Sequence, residues 1–259
     1  MVKSTPSPNI PILIFVLYTI CYFVVMFYID FAKNNPTASF FIYVCLLLVI
    51  QFGNNSQVLY STCGHIPYGA VIKVTLLPWI LIFYCLNFLL TIFPGWLLPF
   101  SNTFGYGLAT LAGLKDTLNG LLKSDIPTKN KEDKDLSNIL GRIYADRSLL
   151  INEVIPDTVD NFIDKMRKGN LLRSYTDGKQ DELINQLRRL VLLKELTAKA
   201  IWYILAGMLT ISVSYNLIIN SQCSKSVDDM KKRHKEYEDA LEAEEKISQP
   251  EKRVYYNDE

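Results

Sequence analysis

Polar and apolar positions along the chain fall into two regimes, one of long uncharged runs and one of helical periodicity. A helix crossing the hydrocarbon core needs about 20 mostly apolar residues. Ile10 to Ile29 meets that length without a charge, and Asp30 and Lys33 mark its exit. Its apolar stretch is too long for a signal-peptide core and no small-residue cleavage site follows, so it reads as an uncleaved span. Lys33–Thr37, "KNNPT", supplies Asn and Pro turn chemistry. The next uncharged stretch, Phe40–Phe52, is short, and with Thr37–Ser39 it reaches the lower limit of a span, 37–52, closing a helical hairpin. Val74–Phe93 is the third span, with Pro78 able to bend it and Asn87 near its centre. Ala200–Ile219 is the fourth, uncharged throughout and opening on a Trp202-Tyr203 pair suited to the interface. Trp79, Trp96 and Trp202 all lie close to expected span ends, which supports this map.

Between the third and fourth spans the period changes to that of water-exposed helices. Leu108, Leu111, Leu114, Leu118, Leu121 and Leu122 repeat at spacings of three and four, with Lys115, Asp116, Asn119 and Lys123 at other positions. Residues 100–124 therefore predict an amphipathic segment lying on or dipping into the bilayer surface. Residues 125–198 predict a helical soluble domain. Its first stretch carries Leu136, Ile139, Leu140, Ile143, Tyr144, Leu150, Ile151 and Val154, and Pro156 ends it. Asp157 is placed to cap a second helix with Val159, Phe162, Ile163 and Met166 on one face, closed by Gly169. A third starts near Gln180, bears Leu183, Ile184, Leu187, Leu190, Val191 and Leu193, and meets no Pro or Gly before the fourth span. One long helix is expected to carry the domain into the bilayer. The tail, 221–259, has a thin seam of Val227, Met230, Tyr237, Leu241 and Ile247 among charges of both signs. A solvated helix and a partner-dependent coiled coil both fit it, and its last dozen residues are expected to be extended.

Charge sharpens the division. Residues 1–99 hold four charged side chains, Lys3, Asp30, Lys33 and Lys73, while the rest of the 259-residue chain holds 24 Lys or Arg and 25 Asp or Glu. The expected fold is thus all-α: a multi-pass membrane protein of about four spans with a helical insertion and a charged tail. A net charge of +1 gives no basic patch that nucleic acid would demand. One face collects Lys33, Lys115, Arg188, Arg189, Lys194 and Lys199, and the other Lys3, Lys225, Lys231, Lys232 and Arg233. That near balance assigns neither face to the cytoplasm. Asn54-Asn55-Ser56 is a glycosylation triplet of a kind common by chance.

Candidate chemistry is thin. Thr103-Phe104-Gly105-Tyr106-Gly107 is one residue from a potassium-channel filter, but Pro99 and Asn102 interrupt the place of a pore helix and Lys115 follows closely. Chance resemblance is the better reading. Cys63-Gly64-His65 sets a thiol beside an imidazole without a third member. The other histidine, His234, is far away in the tail, so no metal centre is expected. Neither a phosphate-binding GxxxxGK[ST] loop nor a GxSxG elbow occurs. Asp30 and Lys73 fall at span ends, and Asn87 reads as a packing residue bonding a neighbouring helix. Cys21, Cys45 and Cys85 sit in apolar runs, whereas Cys63 and Cys223 lie in polar surroundings where a disulfide is allowed but not demanded. No catalytic residue, cofactor or metal is expected, and the chain does not read as an enzyme.

One stretch resembles something known. Phe93-Pro94-Gly95-Trp96, then Pro99-Phe100-Ser101-Asn102-Thr103-Phe104-Gly105-Tyr106, resembles a motif in multi-pass membrane proteins of large icosahedral double-stranded DNA viruses of algae and protists. The resemblance implies a minor capsid protein in the virion inner membrane, a bilayer derived from the host and lying beneath the capsid shell. Its partners would be lipid, capsid protein and other minor capsid proteins, and its role would be structural, anchoring the membrane to the shell. A channel or transporter, or a membrane enzyme with an unrecognised site, remains open. Charged residues within the spans would favour transport, and the spans almost lack them.

Overall fold

The structure, a computed structural model, describes residues 9–123, 148–175, 178–220 and 227–248. Its elements are α1 (Asn9–Tyr28), α2 (Asp30–Asn34), α3 (Pro36–Cys63) and α4 (Tyr68–Pro78), the last running through a π-helical stretch, Trp79–Tyr84, into α5 (Cys85–Ile92). A 3₁₀ turn, Pro94–Leu97, leads through α6 (Leu98–Phe100), a second π-helical stretch, Ser101–Gly105, and α7 (Tyr106–Leu111) to α8 (Leu114–Leu121). Then come α9 (Ser148–Ile151), α10 (Val159–Lys168), α11 (Lys179–Ile219) and α12 (Val227–Ser248). The protein is all-α, and among the described residues four helices are long and apolar enough to cross a membrane: Asn9–Tyr28, Pro36–Cys63, Tyr68–Ile92 and Lys179–Ile219.

The second and third of these outrun the apolar stretches that predict them. α3 continues past Phe52 for three more turns because its polar residues are used inside the bundle. Gln51 is 1 % exposed and Asn55 6 %, and the Asn55 side-chain amide donates to Thr75 Oγ1 at 2.9 Å. The third helix begins at Tyr68, ahead of Lys73, which moves Trp79 from the expected span end to the interior. Trp79 is 3 % exposed and packs with Phe15, Tyr43 and Phe83. Asn87 differs as well: its amide donates to Phe83 O of its own helix at 2.7 Å, not to a neighbour.

α1 and α11 run antiparallel in close contact. Phe15 lies on Gly207, where an added Cβ would overlap its ring. Phe23 packs edge-on to Tyr203, 5.2 Å between centroids, and Phe27 lies under Arg189. In lipid such faces gain little from the hydrophobic effect, so close packing and interhelical hydrogen bonds hold them. The contact between Thr19 Oγ1 and Tyr43 Oη at 2.9 Å is one such bond. At the far end Val58, Leu59, Cys63, Val71 and Val74 gather around Ile218.

At the near end a second core forms. Leu114, Leu118, Leu121 and Leu122 are almost fully buried against Ile151, Val159, Ile163 and the Ile184–Val191 stretch of α11. The segment 100–124 is thus not simply laid on a bilayer. Gly113, at φ 101°, breaks it, and the leucines beyond the break face protein while Leu111, before it, is 87 % exposed. Each buried leucine contributes roughly 1.5–3 kcal/mol, which protein neighbours supply as well as lipid does. Main-chain bonds from Lys123 N–H to Leu171 O (2.9 Å) and from Arg173 N–H to Leu121 O (2.8 Å) close the core's edge. Thr158, not Asp157, precedes the first turn of α10. Leu136, Ile139, Leu140, Ile143 and Tyr144 lie outside the described residues, as do residues 249–259 at the end of the tail.

Considered by itself, the tail unit is one helix, α12, with His234 and Glu238 3.4 Å apart and with Tyr237 and Leu241 exposed. The Val227, Met230 and Ile247 side chains of the expected seam are outside the described residues.

The four-crossing arrangement has a direct test. Cysteines introduced at Tyr68, at the start of α4 at the far end, and at Asn161, on α10, are expected to react with an impermeant maleimide from opposite faces of sealed vesicles. Labelling of both from one face would remove a crossing from the bundle.

Candidate functional site

The motif that singles out the chain sits where the membrane bundle meets the second core. Phe93 leaves α5 with φ −120°, and Pro94, which cannot donate a backbone hydrogen bond, opens the 3₁₀ turn that follows. Trp96 N–H donates to Phe93 O at 3.1 Å, and the two rings stack with centroids 5.2 Å apart. Trp96 then reaches Trp202 of α11, 6.2 Å between centroids, and Phe100 meets the same indole edge-on at 6.0 Å. Trp202 is held between two aromatic side chains of the motif. Offset and edge-on pairs of this kind contribute about 0.5–1.5 kcal/mol beyond their buried area.

Past Pro99, whose carbonyl accepts from Thr103 Oγ1 at 2.6 Å, the chain winds as a π-helix from Ser101 to Gly105. A π turn holds one residue more than an α turn and commonly marks a functional or packing adjustment. Here it brings Ser101 and Gly105 onto one buried side, facing α11. At Gly105 the two backbones touch: a Cβ there would overlap the Lys194 carbonyl oxygen. Asn102 is turned so that its Oδ1 is buried without a partner among the described residues, while Phe104 is 57 % exposed. Tyr106 packs against the second core. The filter-like pentapeptide, Thr103 to Gly107, is therefore helical, with the Ser101 and Thr103 carbonyls both accepting from Tyr106 N–H. A filter needs such carbonyls turned toward an ion path.

Lys194 supplies the other half of the junction. Its side chain is 1 % exposed and its Nζ donates to the backbone carbonyls of Ile151, Asn152 (3.1 Å) and Val154 (3.4 Å). Those carbonyls lie at the end of the short helix α9 and in the turn just after it, so the ammonium serves as its C-terminal cap. Lys194 does not belong with the exposed charges of one membrane face: it is an internal fastener. A signal for this exists in the sequence, since Lys194 follows Ile184, Leu187 and Val191 on the apolar face of the helix.

The remaining candidates stay apart from this junction. Cys63 is disulfide-bonded, so it offers no free thiol, and His65 Nδ1 rests 3.2 Å from Cys63 O in a turn made by Gly64 at φ 74°. Cys223 lies outside the described residues, and Cys21, Cys45 and Cys85 are free thiols. Asp30 pairs with Lys33 at 3.2 Å in an exposed turn, and Lys73 is exposed. Among the described residues no three His, Cys, Asp or Glu side chains gather as a metal would require. The junction fastens one long helix to the apolar bundle and to the second core at once. No protein-family model, curated protein or solved structure matches the chain.

Proposed function

We propose that the chain is a structural membrane protein that ties a bilayer to a protein layer, specifically the inner membrane of an icosahedral virion to its capsid shell. The observation that carries the reading is α11, a single helix of 41 residues shared by the membrane bundle and the second core. At 1.5 Å per residue it is about 60 Å long, twice the roughly 30 Å of the hydrocarbon core. A pure anchor would need one span and no such rod. The motif side chains and Lys194 fasten the rod at mid-length, which suits a part that transmits position. The near-equal charge of residues 100–198, 15 Lys or Arg against 14 Asp or Glu, suits protein neighbours better than nucleic acid.

Mass spectrometry of purified particles after detergent stripping tests this reading. The chain should be released with the membrane fraction, and crosslinking of intact particles should join Lys165, Lys168 or Lys231 to capsid components. Presence in host membranes and absence from particles would end it. Replacing Trp96 and Phe100 together with Ala removes both partners of Trp202 and is expected to reduce incorporation into particles severalfold, without creating ion conductance.

A further inference from the structure

A groove of about 980 Å³ lies between α1, α7 and the middle of α11, at the upper end of the roughly 300–1,000 Å³ that ligand sites occupy. Its lining changes character along one face of α11. Glu182, Asn185, Gln186 and Arg189 supply the end nearest the water-facing core. Below them, at the same spacing of three and four, come Leu193, Leu196, Ala200 and Ile204, faced by Ile20, Val24 and Phe27 of α1. The apolar part is continuous with the outward flank of α1, where Ile20 is 45 % and Val24 50 % exposed. It therefore opens toward the space that lipid fills around a spanning helix.

Arg189 stands where the lining changes from polar to apolar. Its guanidinium lies 5.7 Å from the centre of the Phe27 ring, which brings a fixed positive charge to the edge of the apolar surface. Its neighbours are already paired, Arg188 with Asp160 and Lys199 with Glu195, and among the described residues Arg189 has no carboxylate partner. Glu182 is two turns farther from the apolar part, about 10 Å along the axis. A cation over an apolar groove at the end of a span matches a headgroup phosphate above an acyl chain, the arrangement by which basic pockets between membrane helices hold lipid headgroups.

The geometry points to a site for one phosphate-bearing membrane glycerolipid, its phosphate at Arg189 and an acyl chain running down past Leu193, Ala200 and Ile204 against α1. Asn185 and Gln186 have the amide groups to hydrogen-bond the rest of the headgroup. A bound lipid would fill the side of α1 that α11 leaves open, and so become part of the junction.

The test uses the full chain in phosphatidylcholine vesicles containing a few per cent of phosphatidylglycerol that carries a diazirine in one acyl chain. After irradiation, adducts are expected to concentrate in peptides covering residues 20–28 and 193–204. Unlabelled phosphatidylglycerol should compete, and inorganic phosphate should not. A diacylglycerol probe, which lacks the phosphate, should label these peptides at least fivefold less. Arg189→Gln, at an exposed position, should lower the phosphatidylglycerol signal at least fivefold. Ala200→Trp, which fills the groove, should do the same. Because the adduct map of the unaltered protein stands without any variant, misfolding of Ala200→Trp does not spoil the test. Adducts spread evenly over the outward faces of all four spans would overturn the proposal. So would site labelling equal for the two probes, or labelling indifferent to Arg189→Gln. A groove that yields crosslinks to another protein and none to lipid would also overturn it, and would mark the groove as a partner's seat.

Discussion

Replacing Gly105 with alanine is expected to lower the thermal unfolding midpoint of the detergent-solubilised protein by about 5 °C or more, while Gly107→Ala leaves it level or raises it. The two glycines are two residues apart in one helical run, and by helix propensity both changes should help, by roughly 0.5–1 kcal/mol. Packing separates them. A Cβ at Gly107 meets nothing within 4 Å, whereas a Cβ at Gly105 overlaps the main-chain carbonyl of Lys194. A flexible side chain could swing aside; a carbonyl inside a helix cannot. The π-helical stretch and α11 must then separate, and overpacking of this sort costs about 1–3 kcal/mol, sometimes more. For a chain of this size each kcal/mol is worth roughly 2–4 °C. Separation would also loosen the Lys194 main chain, whose side chain caps α9, so the loss extends beyond one contact. Equal melting of the two variants would mean that these helices do not touch.

Lys194→Met is expected to destabilise the protein by about 2 kcal/mol, and Lys199→Met by less than about 0.5 kcal/mol. The two lysines lie only five residues apart on one helix. Methionine keeps the apolar stem of either one and removes only the ammonium. At Lys199 that breaks an ion pair with Glu195 in which Lys199 is 39 % exposed, an interaction of the kind that contributes little. At Lys194 it strips the donor from three carbonyls, of Ile151, Asn152 and Val154, next to a side chain that water hardly reaches. An acceptor left unpaired in such a place costs about 1–3 kcal/mol, offset in part because no charge need be buried. Chemical denaturation with matched detergent, comparing midpoints and slopes, reads the difference. If Lys199→Met is the more harmful, the internal cap does not exist.

The sequence shows most plainly where the membrane helices run, because charge-free length is a property of the chain alone. The continuity of α11 is equally visible, since neither Pro nor Gly interrupts Lys179–Ile219 except Gly207, which packs on Phe15. What the sequence hides is which surface covers a given apolar face. Leu114, Leu118 and Leu121 have the spacing of a helix at a bilayer surface, yet protein covers them, and periodicity is blind to that distinction. Polar residues mislead in the opposite direction. Gln51 and Asn55 look like the end of a span, while the helix simply turns them inward. The motif from Phe93 to Tyr106 stands out by its composition, but its contacts with Trp202 and Lys194 span roughly 90 to 105 residues of sequence, a separation at which no local pattern speaks.

The length of α11 has a consequence for angle. A helix of 41 residues, about 60 Å from end to end, acts as a lever: each degree of tilt at its membrane end swings its other end by roughly 1 Å. Side-chain packing tolerates displacements of well under the width of a methyl group before contacts are lost. A protein layer gripping the outer part of α11 would therefore register changes in membrane slope of only a few degrees. On a flat facet all copies could seat alike, and at a sharply curved edge they could not. The density of this protein should then follow the local curvature of the bilayer that holds it.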